Sequence, residues 1–180
     1  MKKLSSLLVL LVLSVMFIRC GGSQPLPETD KMDMPEWFLN PPEDPSYFYG
    51  VATSTSKDMQ LAIDKATTDA RAKIAQQVDI KIQGLQKKFD EEVGTGENST
   101  LLQQFTQATK TVVNQSLTGS KVKDKKLYQD GKNWRAYVLV EYPIGAANTA
   151  LMQQLQKQEE LYTRFRSSQT FKELDEEMKK

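Results

Sequence analysis

The spacing of hydrophobic positions changes several times along the chain, and each spacing predicts a different element. Residues 4–18 form an apolar run that only three serines interrupt, and two lysines precede it. At about 1.5 Å per helical residue, this run is too short for the roughly 30 Å core of a bilayer. The pattern therefore predicts a signal peptide over residues 1–19. Residues 20–34 are polar, contain two prolines and read as a flexible linker.

A strand pattern follows the linker. Prolines bound residues 35–42 and favour extended backbone there, with Trp37 packed against the domain. Residues 46–53 alternate in polarity, which predicts a strand, and Gly50 within it indicates close approach by a neighbouring element. We expect three aromatic residues to belong to the core of this strand and not to line a pocket: Tyr47, Phe48 and Tyr49.

From about Lys57 to Gln77 the spacing becomes helical. Small residues recur every fourth position, so Ala66 and Ala70 should lie buried against the sheet. The predicted buried stripe comprises Met59, Ile63, Ala66, Ala70 and Ile74.

Residues 78–93 fit two periods. Val78, Ile80 and Ile82 alternate with polar residues, which predicts a second strand that extends past Gly84. A continuous helix to residue 93 stays open as the alternative. It rests on apolar residues at helical spacing, namely Ile74, Val78, Ile82, Leu85, Phe89 and Val93.

The rest of the chain predicts two helices and a hairpin. Thr100 and Gln103 form a capping box at the start of a helix that extends to about Leu117. Asp130-Gly131 is a turn signal between two strands, Val122 to Tyr128 and Trp134 to Tyr142. After Pro143, helical spacing predicts a long helix from Ala146 that Ser167-Ser168 interrupts.

This order of elements predicts an α+β fold. We expect an antiparallel sheet of about three to four strands covered by two helices, plus a long C-terminal helix. The domain should span residues 35–145, and residues 146–180 should form a further helical segment. An apolar stripe on that segment needs cover from its own sheet, from a second copy or from another protein, and all three stay open. Its candidate partner-binding residues are Leu151, Leu155, Tyr162 and Phe165.

Composition excludes several kinds of chemistry. The chain has no histidine, which removes histidine-based triads and imidazole metal sites. One cysteine excludes an internal disulfide and cysteine-cluster metal sites. A formal net charge of +1 does not indicate a basic surface for nucleic-acid binding. The lysines of residues 121–126 are typical of a solvated strand edge that is protected from aggregation. Adjacent acidic pairs lie in polar stretches, so we expect no enzyme, no cofactor and no bound metal.

That single cysteine, Cys20, closes the apolar run. Its placement resembles the lipobox cysteine of bacterial lipoproteins, which is acylated and becomes the mature N-terminus. Arg19 replaces the usual small residue, so an ordinary secretory leader stays open and would give a soluble periplasmic or secreted protein. Removing residues 1–19 takes away three basic residues and no acidic ones, which changes the net charge from +1 to −2. We predict that acyl chains on Cys20 anchor the protein in the outer membrane, because Gly21 is not the aspartate that marks inner-membrane retention in enteric lipoproteins.

Several short motifs occur in a recognisable order. They are Pro35-x-Trp37, Asn40-Pro41-Pro42, Tyr49-Gly50-Val51-Ala52, Ala62-x3-Ala66-x3-Ala70 and the strand from Gly131 to Tyr142. Together they resemble the twenty-kilodalton lipoprotein (Lpp-twenty) family of bacterial envelopes. The resemblance implies an α+β domain on a lipid anchor and favours a strand for Val78 to Leu85. Some relatives are accessory parts of flagellar outer-membrane structures, and the family contributes no catalytic residues.

We therefore expect a non-catalytic, lipid-anchored envelope protein with a structural or partner-binding role. It should bind a protein partner or associate with itself. The alternative is a carrier of a lipid or a small apolar ligand in the periplasm. A carrier of this kind needs a cavity between the helix of residues 58–77 and the sheet.

Overall fold

The computed structural model describes residues 34–94 and 99–178. The predicted signal peptide, the linker and Cys20 lie outside these residues. The described part confirms the α+β class and the antiparallel sheet. Its elements are α1 (Glu36–Leu39), β1 (Tyr47–Ser56), α2 (Met59–Val93), α3 (Ser99–Gly119), β2 (Lys121–Asp130), β3 (Asn133–Pro143), α4 (Ile144–Leu155), α5 (Glu159–Arg166) and α6 (Gln169–Met178).

The sheet has three antiparallel strands in the order β1-β3-β2. The predicted hairpin of β2 and β3 is confirmed. Asp130 pairs with Asn133, so the two loop residues are Gly131 and Lys132, one position later than the sequence signal indicates. Gly131 has a φ of 61°, and Lys132 has no positive φ, which is the pattern of a type II′ hairpin turn.

The first half of α2 packs closely on β1. Ala62, Ala66 and Ala70 have no exposed surface, which confirms the predicted small-residue face. A Cβ atom added to Gly50 would lie 2.2 Å from the carbonyl oxygen of Ala70, so the predicted close approach at this glycine is also confirmed. Met59, the first residue of α2, is exposed and does not belong to the buried stripe.

The strand prediction for residues 78–85 is wrong, because α2 continues as one helix to Val93. In a strand, Ile80 would share a face with Val78 and Ile82. It is instead 63% exposed, while Val78 and Ile82 are buried. Further along the helix, Phe89 meets Phe105 of α3 with ring centroids 5.8 Å apart. Helical spacing therefore brings the apolar residues to one side, where α3 and the C-terminal helices cover them.

The predicted long C-terminal helix is divided into α4, α5 and α6. Its last part is fixed to α2 by two ion pairs, Lys81 with Glu177 and Lys88 with Glu173, each at 2.6 Å. Met34 onward forms one compact unit, so the described residues after 145 pack as part of the same body as those before it.

A cap from α2 orders the start of α6. The Glu92 carboxylate accepts hydrogen bonds from the backbone N–H of Gln169 at 2.6 Å, from the backbone N–H of Thr170 at 2.9 Å and from the Thr170 hydroxyl. Burial acts to raise the pKa of Glu92, but the hydrogen bonds from Thr170 and Gln169 outweigh it and lower the pKa. Glu92 therefore serves as a charged cap on the free N–H groups of α6.

The outer face of the sheet is covered near its centre by α1. Phe38 packs edge-on against Tyr137 with ring centroids 4.8 Å apart. Tyr137 and Leu139, which point away from α2, are consequently as buried as their neighbours on the inner face. Trp37 is half-buried beside Phe38. The central strand β3 is thus enclosed on both sides.

Candidate functional site

The predicted partner-binding stripe lies in the core of this domain. Leu151, Leu155 and Phe165 have no exposed surface. Tyr162 is half-buried, with its hydroxyl accepting a hydrogen bond from an amide nitrogen at 3.3 Å and the Arg166 guanidinium 5.7 Å from its ring. The stripe is therefore covered by its own chain, chiefly by α3 and the end of α2, and the three buried side chains cannot contact a partner.

Lipid attachment at Cys20 falls outside the described residues. In the part of the chain that is described, no helix is long and apolar enough to cross a membrane.

An open groove lies between α2 and α3. These two helices run antiparallel, and their apolar faces pack against α4 and α5. Side chains on the neighbouring faces of α2 and α3 line the groove, which has a volume of about 790 Å³. The α2 positions recur at helical spacing and so share one face of that helix. The groove is lined by Asp79, Gln83, Gln86, Lys87, Asp90, Thr106, Thr109, Lys110, Val113 and Asn114.

Hydrogen bonds fix the floor of this groove. Gln86 Nε2 donates to the Thr106 hydroxyl at 2.9 Å and thereby joins the two helices. Gln83 Nε2 donates to Asp79 Oδ2 at 2.8 Å, one helical turn away. The Thr109 hydroxyl donates to the Phe105 carbonyl, within its own helix. These contacts hold the side chains of the floor in defined positions.

Three further polar groups of the groove have no partner among the described residues. Lys87 and Lys110 form no ion pair with any residue in the described ranges. Asp90 Oδ1 is shielded from solvent, yet no described residue donates a hydrogen bond to it. A buried acceptor without a donor costs about 1–3 kcal/mol, which a ligand group that donates to it would recover. The groove therefore offers two free ammonium groups and one unsatisfied carboxylate oxygen.

A smaller cleft of about 560 Å³ lies beside β1 and the proline-rich segment before it. Tyr47 and Tyr49 line the cleft and stack with their ring centroids 6.1 Å apart, so the expectation that they belong to the strand core is wrong for these two. Phe48 points to the opposite face and packs against the core. Alternation along an edge strand explains the difference, because only the inner face meets α2.

Lys123 closes one side of the tyrosine pair. Its ammonium lies 4.9 Å from the centroid of the Tyr49 ring and 2.8 Å from a carboxylate oxygen of Glu141. The hydrogen bonds to Glu141 and to the Tyr49 hydroxyl raise the pKa of Lys123, so this lysine stays charged. A permanently charged, paired lysine fixes structure at this face and is unsuited to proton transfer at neutral pH.

The described ranges contain no cluster of acidic side chains of the kind that binds a metal ion. No three acidic side chains there come close enough together to hold a metal ion. Of the acidic pair Glu91-Glu92, Glu92 is engaged as the cap of α6.

Sequence reasoning missed the α2–α3 groove. Its α2 half lies on residues 79–90, for which a strand was the first interpretation, and a strand places successive residues on opposite faces. The signal that could have located the groove is the helical spacing of Val78, Ile82 and Leu85, which places Asp79 and Asp90 together on the neighbouring face.

Comparison with known proteins identifies the family. No curated protein matches the sequence. Residues 35–142 match the LPP20 lipoprotein family. This stretch includes α1, all of α2 and α3 and nearly the whole sheet, so the match extends over more than half of the chain and over both helices of the groove. The chain belongs to the LPP20 lipoprotein family.

Proposed function

We propose that this protein is a non-catalytic lipoprotein of the bacterial outer membrane that binds a polar partner in the envelope, as a structural component of an outer-membrane assembly. Membership of a lipoprotein family supports the lipid anchor, and Cys20 at the end of the apolar leader is its attachment point. Gly21 after that cysteine supports the outer membrane as the destination. The folded unit begins at Met34, so about a dozen residues separate it from Cys20 in the sequence.

The observation that carries the binding role is the set of unpaired groups in the α2–α3 groove. Lys87 and Lys110 lie along it without ion-pair partners among the described residues, and Asp90 Oδ1 is buried without a donor. A partner that carries both acceptor and donor groups would satisfy all three. The charged groups along the groove and its open shape suit an extended segment that carries polar groups better than an enclosed small molecule.

The carrier alternative needs a cavity between α2 and the sheet. At that place the backbones of Gly50 and Ala70 approach so closely that a single added methyl group would clash. Ala62 and Ala66, on either side of the contact along α2, are also fully buried. An acyl chain has no room there, which favours the polar groove as the binding site.

The groove can be tested by reversing its charge. In the Lys87→Glu/Lys110→Glu variant, two attractive ammonium groups become repulsive carboxylates, so we expect loss of the partners that co-purify with the wild-type protein after mild solubilisation of membranes. Lys126→Glu, on the exposed edge of the sheet, is the matched control and should retain them. Retention by both variants would show that the groove is not the binding surface.

The anchor is tested separately. Mass spectrometry of the mature protein should show a lipidated N-terminal Cys20, and Cys20→Ser should release the protein from the membrane fraction. A mature chain that begins at Gln24 without modification would contradict the anchor.

A further inference from the structure

The two edges of the sheet are protected to different degrees. Exposed strand edges invite pairing with other strands, and proteins block them with lysines, bulges or covering side chains. On β2, a bulge between Val122 and Asp124 interrupts the register, and this half of the strand is exposed and rich in lysine, as the sequence predicts. The first half of the β2 edge is therefore unsuited to accepting a further strand.

The first half of the β1 edge is covered by side chains of α2. Ile144 N–H donates to the Ser46 carbonyl, so even-numbered residues of β1 bond to β3 and odd-numbered residues point outward. The outward carbonyl of Tyr49 accepts a hydrogen bond from Gln77 Nε2 at 2.8 Å, and that of Val51 accepts one from Lys73 Nζ at 2.6 Å. These two contacts occupy the acceptors that a new strand would use.

The second half of the β1 edge has no such cover. The outward backbone groups of Thr53 and Thr55 have no hydrogen-bond partner among the described residues. Both side chains are exposed, and residues 53–56 contain no lysine, proline or bulge. Threonine is also a residue that favours strands. This stretch is an open strand edge, unlike the first half of β1 and the bulged half of β2.

An apolar and charged surface adjoins the open stretch. Leu61 is 46% exposed and Met59 is 44% exposed, both in the first turn of α2. Leu61 also lines a shallow groove of about 450 Å³ with Ser54, and the same groove carries Lys65, Asp64 and Asp69. A strand added beside Ser54 would cover the exposed side chain of Leu61.

We propose that this open edge pairs antiparallel with β1 of a second copy of the chain, which joins two three-stranded sheets into one of six strands. Thr53-Ser54-Thr55 is symmetric about Ser54, so a two-fold axis at Ser54 places Thr53 of one copy opposite Thr55 of the other. Each such pair exchanges two hydrogen bonds through the backbone groups that are free in the single chain. The shallow groove carries acidic and basic side chains, namely Asp64, Lys65 and Asp69. Because the second copy runs in the opposite direction, its charged residues follow one another in the reverse order along the shared edge.

This register makes a distance prediction that a cysteine can test. Ser54 would face Ser54 of the second copy as a non-hydrogen-bonded pair, with Cα atoms about 4.5 Å apart. That distance lies within the range of about 4.4–6.8 Å that a disulfide spans. Ser54→Cys in the full-length chain in mild detergent should give a disulfide-linked dimer upon oxidation, with the linked peptide identified by mass spectrometry.

Thr55→Cys is the matched control on the same strand. In the proposed register its two copies are diagonal neighbours, about 7–8 Å apart or more, which is beyond disulfide range. We expect Ser54→Cys to cross-link at least tenfold faster than Thr55→Cys. The wild-type chain reports any background from Cys20. Equal rates for the two variants, or cross-linking only through Cys20, would overturn the proposal.

A proline variant tests the same edge without a cysteine. Thr53→Pro removes an outward N–H and leaves the hydrogen bonds between β1 and β3 in place, so the fold should persist while the dimer is lost. Sedimentation should show a dimer for the wild-type chain and a monomer for Thr53→Pro, at an unchanged circular dichroism spectrum. A wild-type chain that stays monomeric at millimolar concentration would overturn the proposal and leave the edge to a different protein.

Discussion

Replacing Gly50 by alanine tests the closest contact in the fold. The new Cβ would lie 2.2 Å from the Ala70 carbonyl oxygen, 3.0 Å from its carbonyl carbon and 3.1 Å from Ile74 Cγ1. The first two atoms belong to the backbone of α2 and cannot rotate away. The helix or the strand has to shift as a whole, and we expect the upper end of the usual overpacking cost, about 3 kcal/mol.

Gly84→Ala is the matched control. It is the same chemical change in the same helix–sheet unit, but no atom lies within 4 Å of the added Cβ. Glycine within a helix costs about 1 kcal/mol relative to alanine, so this variant should be more stable than wild type by about that amount. The two substitutions should therefore change stability in opposite directions.

Urea unfolding followed by far-UV circular dichroism measures both effects. The midpoint should fall for Gly50→Ala and rise for Gly84→Ala at an unchanged slope, because neither change alters the surface exposed on unfolding. In a thermal melt, about 3 kcal/mol corresponds to a fall of roughly 6–12 °C for a unit of this size. A Gly50→Ala protein with the wild-type midpoint would refute the contact between β1 and α2.

Three further substitutions probe packing and charge. Ala66→Leu should overpack the fully buried face of α2 and cost about 1–3 kcal/mol, seen as a lower melting temperature. Glu92→Gln should cost about 0.5–1 kcal/mol at neutral pH, since solvent screens this exposed cap. Because the pKa of Glu92 is lowered, its contribution to stability is fully present above the ordinary pKa of 4.5 and is lost as the pH falls through the lowered pKa. The urea midpoints of the two proteins should therefore converge on acidification below pH 4.5. Burial raises the pKa of Tyr142, so the unfolded state ionises first and the wild type should lose stability as the pH rises through 10.0. Between about pH 8 and pH 11, the melting temperature should therefore fall less for Tyr142→Phe than for the wild type.

Local patterns in the sequence were sufficient to predict the contact between α2 and β1 and the β2–β3 hairpin. Small residues at every fourth position mark a helix face that can approach another backbone, and a glycine in the facing strand completes that signal. Ala66, Ala70 and Gly50 meet as predicted. The turn requires a positive φ at Gly131, and a glycine at this position indicates such a backbone conformation. Each of these features depends on residues close to one another in the chain, so it can be read without knowing the rest of the fold.

For residues 78–93, the local pattern was not sufficient to predict the secondary structure. Their apolar residues satisfy a strand period and a helical period at once, so propensity alone cannot choose between the two. The choice depends on Phe89, which packs against Phe105 and Phe165 with ring centroids 5.8 and 5.5 Å apart. Only the helix places Phe89 on the same side as Val78 and extends it far enough to reach those rings.

The C-terminal stripe and the groove depend in the same way on distant partners. The sequence determined that Leu151, Leu155 and Phe165 form an apolar face, but what covers an apolar face is set by elements elsewhere in the chain, here α3 and the end of α2. Likewise, Asp90 and Lys110 acquire a shared groove only because two helices pack side by side. The period of a segment is a local property that the sequence records. Its cover and its neighbours follow from the packing of the whole chain, and only the tertiary structure decided them.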